Sequence, residues 1–391
     1  MPGGTVRAAP WFSISNAFSD ADLKTFIDNM CSALSTYSNI PSIWIEQSNE
    51  EWNTRSPSFS IKYGSGNLGR LGYGEEALRN FSIMGTEAAS RCPSLASKIH
   101  YVLGDQACNA GVASTEIAGG TAAGYSFPNT AQYGIDVATY YGDNLPSYSG
   151  SLASQAAQYA TLFFGFVPPY VGPPGTGCIN NGLYSEYGTV GSDNAVSLYE
   201  AGLNAYNGPG TTEQGYLSEG GYPSAAWMAE SWLMAQRLGR TPIQNEFSLT
   251  QTESGIAPIW GIVHDLDSDF GPTFPHLRPI AIAEQLVNSA ISGAYHPVKA
   301  PSGTVINAYE NVDAWSAALV NTTASPITLT VEFPSSGTMP KTAEAVLNTN
   351  GITDNAENSN DVYVAALPGG LSTSGQSVTL TLPQFSVVAI H

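Results

Sequence analysis

The pattern of hydrophobic and polar residues changes near residue 299. Before this point, short apolar runs typical of strands alternate with segments whose apolar residues recur at helical spacing. Residues 5–15 begin the series as a strand. Ser19 and Asp22 then mark the start of a helix that extends to about Leu34, and Ile43 opens the next strand. Such alternation predicts an α/β fold with a parallel sheet.

The same pattern continues to about residue 292. Further strands are predicted at 100–107, 135–141 and 196–200, with a final strand region made of 243–249 and 260–263, and helices are predicted at 75–91, 152–164, 225–240 and 279–292. A loop is predicted between Asn53 and Glu75. It contains the motif G-x-G-x-x-G at Gly64–Gly69, but the motif does not follow a strand directly, so a flexible loop is favoured over a dinucleotide site.

From about Lys299 onward, alternating apolar runs are separated by Gly, Pro, Asn and Ser. Short strands of this kind predict an all-β sandwich. The domain prediction is therefore a (β/α) barrel over residues 1–298 and a C-terminal β-sandwich over residues 299–391.

Two of the predicted strands end in a carboxylate. The apolar run from Ile43 leads into Ser48-Asn49-Glu50, and the run from Val196 ends at Glu200, followed by small residues. In (β/α)₈ barrels the chemistry lies at the C-terminal ends of the strands. Two carboxyl groups at such ends are suited to glycosidic-bond cleavage, in which one donates a proton and the other attacks the anomeric carbon.

With its Asn49-Glu50 pair at a strand end, the chain resembles the clan A retaining glycoside hydrolases. The resemblance implies a TIM barrel, with Glu50 as acid/base on strand four and Glu200 as nucleophile on strand seven. It also implies that Asn49 binds the sugar 2-hydroxyl, and that Tyr140 or Tyr141 contacts the nucleophile. The residues from Leu380 to Ile390 resemble the closing strands of the sandwiches in arabinofuranosidases and glucosylceramidase-like enzymes.

The length of chain before the Trp44 strand departs from the pattern of the clan A barrels. Only 43 residues precede Trp44, and one βα unit needs roughly 30 or more. The sequence therefore predicts a barrel that lacks its first βα units. This departure favours an alternative function, a non-catalytic carbohydrate-binding protein on a degenerate barrel.

Several residues compete for the assigned roles. Glu46 lies within its strand as a possible partner of the catalytic groups, Glu51 fits a solvated position, and Asn245-Glu246 forms a second Asn-Glu pair. Trp44, Trp52 and Trp260 are candidates for stacking on sugar rings, although packing in the core is the commoner role of a tryptophan.

Composition narrows the class of ligand. The chain carries 32 Asp and Glu against 13 Lys and Arg, and this net charge of -19 disfavours nucleic acid and anionic membranes. No apolar run approaches the length of a transmembrane helix. The low charged fraction, 12%, resembles secreted carbohydrate-active proteins and suits a neutral ligand.

No cofactor or metal is predicted. The histidines form no H-x-x-x-H pair, no G-x-S-x-G motif is present, and Asp265, Asp267 and Asp269 match a calcium loop poorly. The four cysteines fit two alternatives, free buried thiols or disulfides, and Cys92 with Cys108 is one of several bridges that the spacing allows. We therefore predict a secreted retaining glycoside hydrolase that acts on a plant or microbial polysaccharide, with an undetermined oligomeric state.

Overall fold

The computed structural model describes residues 9–35, 40–49, 51, 53, 57–107, 109–141, 148–171, 188–203, 221–237, 241–246, 277–334, 337–349, 351–353 and 361–391. The chain forms two compact units. The first comprises Met1–Ala138, Pro173–Tyr199 and Arg240–Gln244, and the second comprises Thr139–Gly172, Glu200–Gly239 and Asn245–His391. The predicted domain boundary between residues 298 and 299 stays a prediction.

Six strands form one sheet whose spatial order is also their order in the chain. The first three pairings, β1 with β2, β2 with β3 and β3 with β4, are parallel. Sequential strands separated by helices form part of a (β/α) barrel, so the predicted α/β class is confirmed, whereas the closed eight-stranded barrel stays a prediction. The strands are β1 (Trp11–Ile14), β2 (Ile43–Gln47), β3 (Ile99–Asp105), β4 (Tyr133–Tyr141), β5 (Ala195–Leu203) and β6 (Gln244–Glu246).

The first helix begins at the predicted position. The Ser19 hydroxyl accepts a hydrogen bond from the Asp22 amide, and the Asp22 carboxylate accepts one from the Ser19 amide, which completes a capping box. No described helix is long and apolar enough to cross a membrane. The helices are α1 (Asp20–Leu34), α2 (Pro57–Tyr63), α3 (Gly66–Arg91), α4 (Pro93–Ala96), α5 (Gly111–Ala122), α6 (Leu152–Val171), α7 (Tyr222–Arg237) and α8 (Pro279–Ala290).

The loop predicted between Asn53 and Glu75 is wrong, because α2 and the first part of α3 occupy most of it. Glycine disfavours a helix by about 1 kcal/mol relative to alanine, which is why the glycine-rich sequence indicated a loop. Here α3 and α5 pack backbone to backbone. A Cβ on Gly74 would collide with the Glu116 carbonyl, and one on Gly119 with the Leu71 carbonyl. Tertiary packing therefore overrides the local preference.

A disulfide joins Cys31 of α1 to Cys92 at the C-terminus of α3, with Cα atoms 5.7 Å apart. Of the pairings that the sequence left open, this one was not singled out. Cys108 and Cys178 lie outside the described residues. The bridge spans 61 residues of sequence, so it links α1 to the end of α3 across the intervening strand β2 and helix α2.

An all-β region follows α8. One sheet has the order β12-β11-β15-β9-β8-β7 and the other the order β10-β14-β13, with antiparallel pairings within both. Both sheets contribute to one hydrophobic cluster that includes Trp315, Leu319, Val331 and Leu380. The strands are β7 (Ala294–Pro297), β8 (Thr304–Asn311), β9 (Ala314–Asn321), β10 (Ile327–Glu332), β11 (Ala343–Asn348), β12 (Val362–Ala366), β13 (Leu371–Ser374), β14 (Ser377–Leu382) and β15 (Val387–Ile390).

Candidate active site

The C-terminal end of β2 turns sharply at Ser48. All five residues of β2 are buried, and Ser48 then has a φ of 60°, in the left-handed region. A non-glycine residue in this region is strained, and such strain is concentrated at functional sites. The turn ends the strand and leaves Asn49 exposed. The predicted acid/base Glu50 and the neighbouring Trp52 lie outside the described residues.

Two side chains of α3 fix the last residue of β2. The Tyr73 hydroxyl donates to the Gln47 carbonyl at 2.7 Å and accepts from the Gly104 amide of β3 at 3.3 Å. The Asn80 amide donates to the Gln47 side-chain oxygen at 3.1 Å. Both Tyr73 and Asn80 are buried, so these bonds are shielded from water. They hold the residue immediately before the Ser48 turn.

The other face of β2 carries a buried carboxylate, Glu46. One of its oxygens accepts hydrogen bonds from the Ser13 hydroxyl and, at 3.1 Å, from the Trp11 indole N–H. Ser13 is paired with Glu46 in the register between β1 and β2, which explains why the two side chains share a face. Glu46 thus has the interior position expected for a partner of the site. Its role stays a prediction.

Trp44 is enclosed by other rings. Its indole stacks on Trp11 at 5.8 Å and on the His100 imidazole at 4.2 Å, both nearly parallel. Only 2% of Trp44 is exposed. Of the two roles considered from the sequence, these surroundings favour core packing over stacking on a sugar, because both faces of the ring are occupied.

Further acids lie within the first compact unit around Tyr73. Asp136 of β4 and Glu116 of α5 are both fully buried. Burial raises the pKa of the Tyr73 hydroxyl well above its usual value, and the charges of Glu116, Asp136 and Glu46 add to this effect. Burial also raises the pKa of Glu116 well above its usual value, although Arg70 opposes it. Burial therefore favours the neutral form of Glu116 over the charged form.

Two other acids, Asp105 at the end of β3 and Glu51 beyond the end of β2, have different surroundings. Asp105 at the end of β3 accepts from the Gln106 amide at 2.7 Å and from the Ala113 amide at 3.2 Å, so it caps the first turn of α5. Glu51 is 4% exposed, whereas the sequence had suggested a solvated position. Its charge contributes, after burial and Glu76, to the raised pKa of Tyr63.

The remaining residues predicted for the site lie on β4, β5 and β6 or outside the described residues. Tyr140 and Tyr141 are the last two residues of β4, and their side chains are not described. Glu200 is half-buried within β5, which continues for three residues beyond it. Glu246 is the last residue of β6, and Trp260 lies outside the described residues.

Tyr73, Glu116 and Asp136 were not singled out from the sequence as residues of the candidate site. Tyr73 lies in the segment that the sequence predicts to be a loop, and Glu116 lies in a glycine-, alanine- and threonine-rich segment. Asp136 did carry a signal, since it is a lone acid inside the apolar run of β4. Where residues are described, no group of histidine, cysteine or acidic side chains could hold a metal ion. Asp265, Asp267 and Asp269 lie outside that part.

Comparison with known proteins identifies the fold. No family model matches the chain. No curated protein matches it either. Among solved structures, its neighbours are clan A glycoside hydrolases, so the recognition made from the sequence is confirmed at the level of the fold.

The neighbours include the GH51 arabinofuranosidase from Xanthomonas axonopodis pv. citri, with a TM-score of 0.54, 13% identity, and coverage of 97% of this chain and 75% of that one. Another is CelM2, a bifunctional glucanase-xylanase from a metagenome library (TM-score 0.53, 12% identity, 95% and 69% coverage). A third is a 4-O-α-L-rhamnosyl-β-D-glucuronidase from Fusarium oxysporum 12S (TM-score 0.50, 13% identity, 99% and 77% coverage).

Proposed function

We propose that this chain is a secreted retaining glycoside hydrolase that cleaves a plant or microbial polysaccharide. Glu50 acts as acid/base and Glu200 as nucleophile. The fold of the clan A glycoside hydrolases supports a glycosidase, and the order of the strands supports the choice of these two glutamates.

The strand order is the observation that carries the proposal. Clan A barrels carry their acid/base after strand four and their nucleophile on strand seven, three strands later. In this chain β2 leads into Glu50, Glu200 lies on β5, and β5 is the third strand after β2 in the sheet. The strand before β5 is β4, which ends at Tyr140 and Tyr141, as expected for the tyrosine of strand six.

The local conformation after β2 also supports the proposal. The strained turn at Ser48 leaves Asn49 exposed, where its amide can reach a ligand. A hydrogen bond from Asn49 to the sugar 2-hydroxyl would strengthen as the oxocarbenium-like transition state forms. Tyr73 and Asn80 hold Gln47, so the position of this turn is fixed before substrate binds.

The proposed reaction has two steps. Glu200 attacks the anomeric carbon while protonated Glu50 gives its proton to the departing glycosidic oxygen. Water then hydrolyses the glycosyl-enzyme with Glu50 acting as base. This mechanism requires the two carboxyl groups to lie about 5–5.5 Å apart, and the negative charge of Glu200 would keep Glu50 protonated.

Two further features of the proposal concern architecture and location. We propose that the sheet belongs to a TIM barrel and that the all-β region is the β-sandwich appended to such barrels. The disulfide between Cys31 and Cys92 supports secretion, because disulfides persist mainly in oxidising compartments.

The test is hydrolysis of a substrate panel by the wild-type chain, Glu50→Gln and Glu200→Gln. Arabinosides, xylans and glucans come first, because the structural neighbours are named for activity on such sugars. We expect both variants to lose about 10³-fold or more in kcat on polysaccharide. Glu75→Gln, an exposed glutamate of α3, is the matched control and should keep full activity.

Aryl glycosides separate the two roles. A dinitrophenyl leaving group needs no proton, so Glu50→Gln should form the glycosyl-enzyme from it at a near-normal rate, whereas Glu200→Gln should not. Full activity in Glu200→Gln would contradict the assignment of the nucleophile and make Glu246 the next residue to test.

A non-catalytic carbohydrate-binding protein is the second candidate. The observation that favours it is the number of strands, since the described residues contribute six strands to the sheet and a complete barrel has eight. Binding of a polysaccharide with no cleavage of any substrate in the panel would support this candidate.

A further inference from the structure

A cleft of about 830 Å³ lies within the first compact unit. Its walls are the outer surface of α3, the C-terminal end of α5 and the beginnings of β3 and β4. It therefore lies at the N-terminal ends of the strands, whereas Ser48 and Asn49 lie at the opposite, C-terminal end of β2. We call it the tyrosine cleft, after Tyr101, Tyr125 and Tyr133, which line it.

The tyrosine cleft has no charged lining residue, although the chain has a net charge of -19. A cleft without charge gives no favourable partner to an ion, which would lose its hydration on entering. The polar groups in the lining are hydroxyls and one amide, from Ser82, Thr86, Ser97, Ser126 and Gln132. This lining suits a neutral molecule with many hydroxyl groups.

An array of aromatic rings forms one wall. The Phe81 and Tyr101 rings are 5.3 Å apart, and the Tyr101 and Tyr133 rings are 5.6 Å apart. Phe127 packs edge-on against Tyr133 and holds its orientation. Phe81 and Tyr101 are buried, so Tyr133, which is half-buried, presents the accessible surface of the array. A rigid aromatic surface of this kind can pack against the apolar face of a sugar ring.

Hydrogen-bonding capacity remains unused beside this array. The hydroxyls of Tyr101 and Tyr133 have no hydrogen-bond partner among the residues that the structure describes. Gln132 differs, because its amide nitrogen donates to the carbonyls of Ala96 at 2.9 Å and Ile99 at 3.2 Å. That amide is thereby fixed, and its oxygen is left to accept a hydrogen bond from a ligand.

The third tyrosine is positioned by the end of α5. The Tyr125 amide donates to the Gly120 carbonyl and the Gly124 amide donates to the Thr121 carbonyl, both at 3.0 Å. Together they form a Schellman motif, which requires a left-handed residue, and Gly124 supplies it with a φ of 91°. Tyr125 is therefore fixed at the edge of the cleft before any ligand binds.

We propose that the tyrosine cleft binds a segment of a neutral oligosaccharide, as a second carbohydrate site separate from the site of cleavage. Its volume lies within the usual range for small-molecule pockets, roughly 300–1,000 Å³. Such a site would hold a polymer on the protein while another part of it is cleaved. The assignment does not depend on hydrolysis, because a binding protein would use the same cleft.

Gly85 of α3 allows the cleft to be filled selectively. A Cβ at this position would lie 3.6 Å from the Tyr101 hydroxyl, an ordinary contact, so a larger side chain would project over Tyr101 without displacing backbone. Gly85→Phe fills the cleft, and Tyr133→Ala removes part of the aromatic wall. Ser90→Phe adds the same ring to an exposed position of α3 outside the lining and serves as the matched control.

The experiment titrates xylohexaose, cellohexaose and arabinohexaose into the full chain carrying Glu200→Gln, with hydrogen exchange to locate the contact. We expect at least one hexasaccharide to slow exchange in residues 82–89 and 124–133. Gly85→Phe and Tyr133→Ala should each weaken that binding about tenfold or more, and Ser90→Phe should leave it unchanged. Tyr125→Ala replaces Gly85→Phe if the latter fails to fold.

Equal affinity in all of these variants, or no binding at millimolar concentration, would overturn the proposal. Hydrolysis of a short aryl glycoside provides the separate readout, because such a substrate occupies only the cleavage site. If the cleft binds and no substrate is cleaved, the second site stands and the proposed hydrolase fails. If the aryl glycoside is cleaved and the cleft variants bind the hexasaccharides as tightly as the parent chain does, the proposed hydrolase stands and the second site fails.

Discussion

The region around β2–β4 and the all-β region bury polar groups of different kinds. The first buries several acids, among them Glu46, Asp105, Glu116 and Asp136. Among the described residues of β7–β15, the buried polar residues are neutral, and Asn321 is the best connected of them. Its amide donates to the Ser325 and Pro383 carbonyls, and its oxygen accepts from Thr323.

The difference shows which buried polar groups serve the fold. Asn321 is buried with its amide and its oxygen both hydrogen-bonded to backbone groups, so its burial leaves neither of them without a partner. A buried carboxyl group costs more, and burial raises the pKa of Glu116 well above its usual value. Acids that weaken a core are expected at functional sites, where proteins depart from the rules of stable packing. Four predictions test this contrast.

The largest effect is expected from the disulfide. In the loop-entropy account, a bridge across 61 residues stabilises by about 4 kcal/mol, so Cys31→Ser with Cys92→Ser should lower the free energy of unfolding by that order. Hydrogen exchange should rise in α1 and α3 and stay unchanged in β8–β15. Equal loss of protection in both regions would show that the bridge stabilises the whole chain.

Asn321→Ala should cost about 3 kcal/mol, because it removes the three hydrogen bonds of a buried side chain and takes from the Thr323 amide its acceptor. Activity per folded molecule should not change, since Asn321 serves the fold alone. Chemical denaturation checks the stability, with Asn311→Ala, an exposed asparagine at the end of β8, as the control. A fall in activity of the folded fraction would contradict the purely structural role.

Tyr73→Phe should cost about 2 kcal/mol, because the Gln47 carbonyl and the Gly104 amide lose a buried partner. As a positioning residue for the turn at Ser48, Tyr73 should affect kcat more than KM on the substrate found by the panel. Tyr363→Phe is the control, since Tyr363 is an exposed tyrosine of β12, outside the first compact unit. An unchanged kcat in Tyr73→Phe would show that Tyr73 stabilises the fold without positioning the site.

Glu116→Gln should cause the smallest change in the free energy of unfolding at pH 5, because the raised pKa of the native carboxyl favours its neutral form at that pH. Its folded pKa lies well above the ordinary value of 4.5, so the unfolded chain ionises first and wild-type stability falls as pH rises from 4.5 toward the folded pKa. Glu116→Gln should lack this fall and be the more stable chain at pH 8. Parallel stability curves for the two chains between pH 5 and pH 8 would show that Glu116 is not buried in neutral form.

The candidate site was only partly predictable. The positions of Glu46 and Glu200 within strands and of Asn49 just after one could be predicted, because a polar residue beside or within an apolar run is a local signal. The predicted strand end at Glu200 is wrong, because β5 continues to Leu203. Tyr73 was missed because its role depends on Gln47 and Gly104, which lie on two other elements. The burial of both faces of Trp44 likewise depends on Trp11 and His100, one from each neighbouring strand.

The sequence by itself determined the local elements of this protein. The capping box at Ser19, the buried strand at Ile43–Gln47 and the change to alternating strands near residue 299 follow from residue type and spacing, which act within a few residues. The tertiary structure decided the helical state of Gly66–Gly74 and the pairing of Cys31 with Cys92. Both depend on the close approach of segments distant in the chain, where packing outweighs a local preference of about 1 kcal/mol per glycine.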